Sequence, residues 1–263
     1  MNKFSLLKHF IQADIFFPNH FRVLAYHQVN CQAGKHIIHP DKFEEQMKWL
    51  HVNGYKTINL QDLGQWLQGK KNITRKNILI SFDDGYRDNL EIAKPILDKY
   101  NFIACVFVAV EYIGKKFFVK SDGVFRDMLS QDELKYLEKS GWDIANHFFS
   151  HKKITKMNRA EILLEIKKSK QILTQAVSND YNINSFASPY NRTGPGMEEV
   201  LKNERVNLFF AERGVILQKQ EKKHLPRIEI SGNMELDEFQ ARFSFMYNKL
   251  KKLFFPLLNF ISK

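Results

Sequence analysis

The sequence predicts an α/β fold, a distorted (β/α) barrel with about seven parallel strands. Three observations predict it. Short apolar runs rich in β-branched and aromatic residues alternate with segments of helical period along most of the chain. Parallel neighbours need a crossover connection, and a helix is the usual one. Several of the apolar runs end on Asp, His or Ser, at the strand ends where barrels of this kind carry their chemistry. The chain has no internal repeat and no low-complexity linker.

The elements follow in order. Residues 22–26 read as the first strand and end on His27. Residues 40–53 read as a helix, because Pro40 suits a first turn and Phe43, Met47 and Leu50 recur on one face; Gly54 ends it. Residues 55–60 are expected as a short strand and 61–68 as a short helix. Residues 77–82 form a buried strand that runs into Asp83-Asp84-Gly85, and a helix over 89–100 follows with Pro95 as a kink. Residues 102–110 and 142–145 are strands separated by a helix at 131–139, and the second leads to His147. Asn158 and Glu161 have the spacing of a capping box that opens a long helix to Val177, with Ile162, Ile166, Ile172 and Leu173 near one face. A strand at 184–187 ends on Ser188-Pro189-Tyr190. A helix at 197–203 and strands at 207–211 and 225–230 complete the series.

Two strand ends carry metal-ligand chemistry. Asp83 and Asp84 follow an apolar strand directly. Adjacent acids raise each other's pKa, and a cation bound by one of them relieves the repulsion; a surface Asp-Gly turn is the alternative. His147 and His151 stand four residues apart. On a helical turn both imidazoles share a face and bind one ion; two unrelated loop histidines are the alternative. Complementary ligands at two strand ends favour a site. His27 is a third strand-end polar residue, significant only if the barrel brings it beside the others.

These residues carry a resemblance. Ser81-Phe82-Asp83-Asp84-Gly85 resembles the first motif of the polysaccharide deacetylase family, also called the NodB-homology or carbohydrate esterase family 4 domain. His147 to His151 resembles its second motif, and Phe186-Ala187-Ser188-Pro189-Tyr190 resembles a degenerate third. Tyr26-His27, the stretch from Phe43 to Met47, Asn53-Gly54-Tyr55 and Leu225-Pro226-Arg227-Ile228 are similar to the subgroup that deacetylates poly-N-acetylglucosamine, where the motif order is permuted. The resemblance covers a catalytic domain at 22–232, which leaves a lead at 1–21 and, by composition, a basic amphipathic tail at 233–263. It implies Asp84, His147 and His151 as ligands of a divalent metal, with zinc the first choice. Asp83 would be the general base, His27 the acid that protonates the departing amine, and Tyr190 and Arg227 would face the oxyanion or substrate. Two positions depart from the pattern. Ala187 stands where many members carry Arg, and Arg227 is the candidate replacement; Phe148 stands where many carry Ser or Thr.

The activity implied is metal-dependent removal of an N-acetyl group from an amino sugar, in a polysaccharide or a lipid-linked precursor. A deformylase or O-acyl esterase on a related glycolipid would use the same residues, and a non-catalytic sugar-binding barrel is the alternative of another class. The net charge of +11 suits an anionic partner, but charge alone is no case for nucleic acid, which is not expected. Two cysteines, Cys31 and Cys105, give no disulfide framework. The first residues hold no uninterrupted apolar core of signal-peptide length and no small-residue cleavage site, so the expected location is cytoplasmic. The stretch from Ala241 to Lys263 carries Arg242, Lys249, Lys251, Lys252 and Lys263, no acid, and many Phe and Leu. It reads either as a terminal helix packed on the barrel or as an anchor on the anionic inner face of a membrane.

Overall fold

A computed structural model of the chain describes residues 20–119, 123–217 and 224–244. Seven strands carry the barrel: β1 His20–Tyr26, β2 Asn77–Asp84, β3 Cys105–Val108, β4 Asp143–Asn146, β5 Ser185–Ala187, β6 Leu208–Arg213 and β7 Leu225–Glu229. Every neighbouring pair is parallel, and β7 and β2 both pair with β1, which closes the ring. Short strands extend it, Lys56–Thr57 parallel along β2 and Ile216–Leu217 antiparallel along β1.

Side chains alternate across each strand. One set fills the barrel interior: Val23, Leu79, Cys105, Phe107, Ala145, Ala187 and Phe210. The other set, including Leu24, Ile78, Ile80, Phe82, Val106 and Ile144, packs outward against the helices. Those helices are α1 Pro40–Val52, α2 Leu60–Leu67, α3 Lys94–Lys99, α4 Gln131–Lys139, α5 Arg159–Val177, α6 Met197–Asn203 and α7 Leu236–Phe243. Leu63 and Trp66 of α2 join the interior set and plug the end of the barrel where the strands begin. The opposite end, where they finish, stays free for chemistry.

Several elements differ from their expected bounds. The strand at 55–60 shrinks to Lys56–Thr57, because Asn59 Oδ1 accepts the Asp62 amide at 2.8 Å and starts α2 at Leu60. The helix at 89–100 divides into a π-helical turn, Asn89–Ala93, and α3. Pro95 lacks the N–H that an α-turn would use there, and the wider turn sits just ahead of it. An antiparallel hairpin, Lys116–Val119 with Val124–Asp127, was not anticipated.

The helix α7 lies within the segment read as a tail. Phe239 and Phe243 are buried, with ring centroids 5.9 and 5.3 Å from Trp49, and Arg22 Nε donates to the Phe243 carbonyl at 2.7 Å. The first part of 233–263 is therefore packed on the barrel. The rest of that segment, from 245, and the lead as far as residue 19 lie outside the described residues.

Candidate metal centre

Strand alternation places Leu79, Ser81 and Asp83 on the inside of β2. Asp83 thus reaches the barrel axis at the open end. Asp84 would point outward by the same rule, but its φ of 74° breaks the strand and swings its carboxylate onto the rim. Ala145 is an interior residue of β4, and His147, two residues on, continues that face. Among the described residues seven non-glycines have positive φ, and five of them, Asp84, Phe148, His151, Tyr190 and Asn191, cluster here. Such backbone costs of order 1 kcal/mol or more at each position, and concentrations of it mark functional sites.

Asp84, His147 and His151 offer three ligand atoms that all lie within 4.8 Å of one another. Their imidazole centroids are 5.1 Å apart, but a left-handed loop, with φ of 66° at Phe148 and 54° at His151, brings them together. The pair meets without the helical turn that would also have placed both rings on one face. His147 Nδ1 lies 2.8 Å from the Ala187 carbonyl, which only accepts, so Nδ1 carries the hydrogen and Nε2 presents a lone pair to the site. His147 Nε2 is 3.4 Å and His151 Nε2 3.0 Å from Asp84 Oδ1, yet that buried oxygen receives no well-aligned hydrogen bond from the described residues. An orphaned carboxylate oxygen between two imidazoles is a cradle for a cation. The donor set, two nitrogens and one oxygen, suits zinc or a similar divalent ion.

The electrostatics divide the two imidazoles. Burial pushes the pKa of His147 down to about 4, which keeps the imidazole neutral as a ligand must be. Burial by itself would raise Asp84, but His151, then His27 and His147, outweigh it and hold the carboxyl well below its ordinary range. Burial would lower His151, and the Asp84 carboxylate beside it reverses the sign, so its pKa is raised.

Asp83 is held apart from this trio. Arg227 Nη1 donates to its Oδ1 at 2.6 Å and Nη2 to its Oδ2 at 2.8 Å, a bidentate clasp between residues 1% and 4% exposed. The guanidinium also lies over the Phe107 and Phe210 rings, 5.3 and 6.0 Å from their centroids, and donates to Asn191 Oδ1 at 3.3 Å. Burial favours the neutral form of Asp83, but the Arg227 charge, then His147, outweigh it and hold the pKa below the usual carboxylate range. Asp83 is thus held from β7, by Arg227, and not from position 187 on β5.

His27 stands just past β1, half-buried, close enough to Asp83 and Asp84 to lower both of their pKa values. Its Nδ1 is buried without a hydrogen-bond partner among the described residues, and its ring lies 4.5 Å from that of His36, whose own Nδ1 is 3.9 Å from Glu229 Oε1. Tyr190 is 53% exposed at the mouth, its ring 5.2 Å from His151. On the other side the hairpin sets Phe117 at 5.6 Å from His151. All seven residues named from the sequence therefore gather at one end of the barrel. His36, Glu229 and Asn191 were not anticipated. Each meets the site through a contact with a residue from another segment of the chain, where periodicity gives no signal.

With this geometry in view, the model of one protein family, polysaccharide deacetylase, matches residues 70–208, more than half of the chain. The chain belongs to the polysaccharide deacetylase family. Membership makes hydrolytic deacetylation its class of reaction. Among polysaccharide deacetylase relatives, the YxkH protein of Bacillus subtilis is 29% identical over 229 residues, which cover 85% of this chain and 76% of that protein. The poly-β-1,6-N-acetyl-D-glucosamine N-deacetylase of Staphylococcus aureus is 27% identical over 202 residues, 73% of this chain and 67% of that protein. The solved structure of the Streptococcus pyogenes deacetylase PplD in complex with acetate superposes with a TM-score of 0.74 at 20% identity, over 86% of this chain and 99% of that one. The last likeness speaks to the polysaccharide deacetylase fold alone.

Proposed function

We propose that this chain removes an N-acetyl group from an amino sugar of a polysaccharide or lipid-linked glycan, and does so with a divalent metal, zinc by first choice. The observation that carries the reading is the convergence of Asp84, His147 and His151 beside an Asp83 that lies outside the trio and is held by Arg227. An ion held by the trio would supply a Lewis acid and lower the pKa of water in the site. Asp83, kept ionised and oriented by Arg227, accepts a proton from the attacking water. His27 delivers a proton to the departing nitrogen, since an amide nitrogen leaves poorly unless protonated. The Tyr190 amide, turned by its φ of 62°, supports the oxyanion, and its exposed ring borders the sugar.

The substrate class draws support from the Staphylococcus aureus relative, whose name specifies a poly-β-1,6-N-acetylglucosamine. The test is acetate release by the purified chain from N-acetylated glucosamine oligomers and from lipid-linked N-acetyl amino sugars, with N-formylated and O-acetylated analogues alongside. Acetate from the N-acetylated sugars supports the reading. Turnover confined to the formyl or O-acetyl compounds would replace it with a deformylase or esterase, and binding without any turnover would leave a sugar-binding barrel. The stretch 245–263, basic and rich in Phe and Leu, is proposed to rest on an anionic membrane surface near such a substrate.

A further inference from the structure

The loop that carries both histidine ligands leaves β4 at His147, whose amide donates to the Val108 carbonyl at 2.9 Å. Between His147 and His151 the backbone turns left-handed at Phe148 and again at His151. Two of its carbonyls are engaged from outside, Phe148 O by the Val110 amide at 3.1 Å and Phe149 O by the Glu111 amide at 2.9 Å. At its start Asn146 Oδ1 accepts the Phe148 amide at 2.7 Å. The Phe148 side chain offers no hydrogen bond; it is buried, with ring centroids 5.8 and 6.4 Å from Phe186 and Phe209. Three donors remain at the crown of the loop, the amides of Phe149 and Ser150 and the Ser150 hydroxyl. All three go to one side chain. Glu165 Oε2 accepts the two amides at 3.1 and 2.9 Å, and its Oε1 accepts the hydroxyl at 2.7 Å.

We propose that Glu165 is a positioning residue for the metal centre, a three-point clamp that fixes the His147–His151 loop in its ligating shape. The inference rests on the reading of Asp84, His147 and His151 as the metal site. Glu165 is well suited to the task. It stands on α5, which is anchored by a capping box at Asn158 and Glu161 and by buried Ile162 and Ile166 on either side of it. Hydrogen bonds to a carboxylate are roughly twice as strong as neutral ones. Lys168, one turn further along α5, lies 3.6 Å from the centroid of the Phe149 ring and holds the crown from the same helix. Glu165 itself is no ligand; it acts by keeping two imidazoles convergent that a relaxed loop would let diverge.

The test measures metal binding directly in the full chain, by competition for Zn²⁺ and by the d–d absorption of bound Co²⁺. Glu165→Ala is expected to weaken binding by about 10- to 100-fold, the usual effect of removing a group that orients a ligand, and to shift the Co²⁺ band. Glu165→Gln, which still offers an oxygen to both amides and a polar partner to the hydroxyl, is expected to bind nearly as tightly as wild type. Ser150→Ala, which removes one point of the clamp, is expected to bind about 2- to 10-fold more weakly. Wild-type affinity and an unshifted band in Glu165→Ala, or in Ser150→Ala should the first variant not fold, would overturn the clamp. So would a lower melting temperature of metal-free Glu165→Ala with unchanged affinity, which would mark a purely structural residue. If the wild-type chain itself binds no ion, the metal site falls and the clamp falls with it, a result that no clamp failure produces.

Discussion

Replacing Arg227 by Met isolates the interior clasp of the site. The substitution keeps most of the volume and removes the charge and both hydrogen bonds to Asp83, made at 2.6 and 2.8 Å. Asp83, 4% exposed, would be left buried and uncompensated. Breaking a buried pair by deleting one partner costs about 3–5 kcal/mol. For a domain of this size that corresponds to a melting temperature lower by roughly 10 °C. Denaturant unfolding of the chelated protein gives the cleanest reading, since no cation is then present to compensate Asp83. The pH dependence has a definite sign. In the wild type the Asp83 pKa is lowered, so its contribution is present above the unfolded carboxylate pKa and lost as pH falls through the folded one. Without Arg227, burial is left to raise the Asp83 pKa, so the deficit should be large near neutrality and shrink toward acid pH. Adding Asp83→Asn to the variant removes the stranded charge and should recover at least half of the loss. A deficit below about 1 kcal/mol, or no recovery in the double variant, would refute the assignment of a strong buried pair.

Three further outcomes are expected. Asp83→Asn should retain metal, measured by elemental analysis, while deacetylation falls by about 100-fold or more; His27→Ala should lose amide hydrolysis but largely keep hydrolysis of an activated aryl acetate, whose leaving group needs no proton. Asp143, whose Oδ2 accepts the Leu60 amide at 2.6 Å, has its pKa pushed up to about 6 by burial, so its stabilising contribution is complete below the unfolded pKa and fades as pH rises through about 6. Asp143→Asn should flatten that decline by roughly 1–3 kcal/mol in unfolding measurements between acid and neutral pH. A chain ending at Ser244 should fold and lose sedimentation with anionic vesicles, whereas one ending at Leu236 should be unstable, because it lacks the buried Phe239 and Phe243.

Much of the architecture is legible in the residues because it is encoded locally. The run from Asn77 to Phe82, the capping box at Asn158 and Glu161 and the periodic apolar faces of the helices each fit in a short window. The strand-end position of Asp83, Asp84 and His147 is likewise a local fact. What the sequence leaves open is non-local. Arg227 and Asp83 stand 144 residues apart and meet only because β7 and β2 both flank β1 and point the two side chains inward. The antiparallel pair of 116–119 with 124–127 hides its alternation because Phe117 faces the site while Phe118 and Phe125 are exposed, so both faces read as apolar. The helix α7 merges by composition with the basic stretch beyond it, and only the aromatic pocket around Trp49 and Tyr55 separates the two. Glu165 looks in the sequence like any solvated helix acid; its task becomes visible once α5 lies beside the histidine loop.

The central claim is that Asp84, His147 and His151 hold a divalent ion on which deacetylation depends, and metal removal and return tests it most directly. The chelated chain is assayed for acetate release from N-acetylglucosamine oligomers before and after addition of Zn²⁺, beside Asp84→Ala and His147→Ala. Acetate release should vanish on chelation, return with Zn²⁺ in the wild type, and fail to return in either variant. Full acetate release from metal-free protein, or restoration by Zn²⁺ in both variants, would contradict the claim.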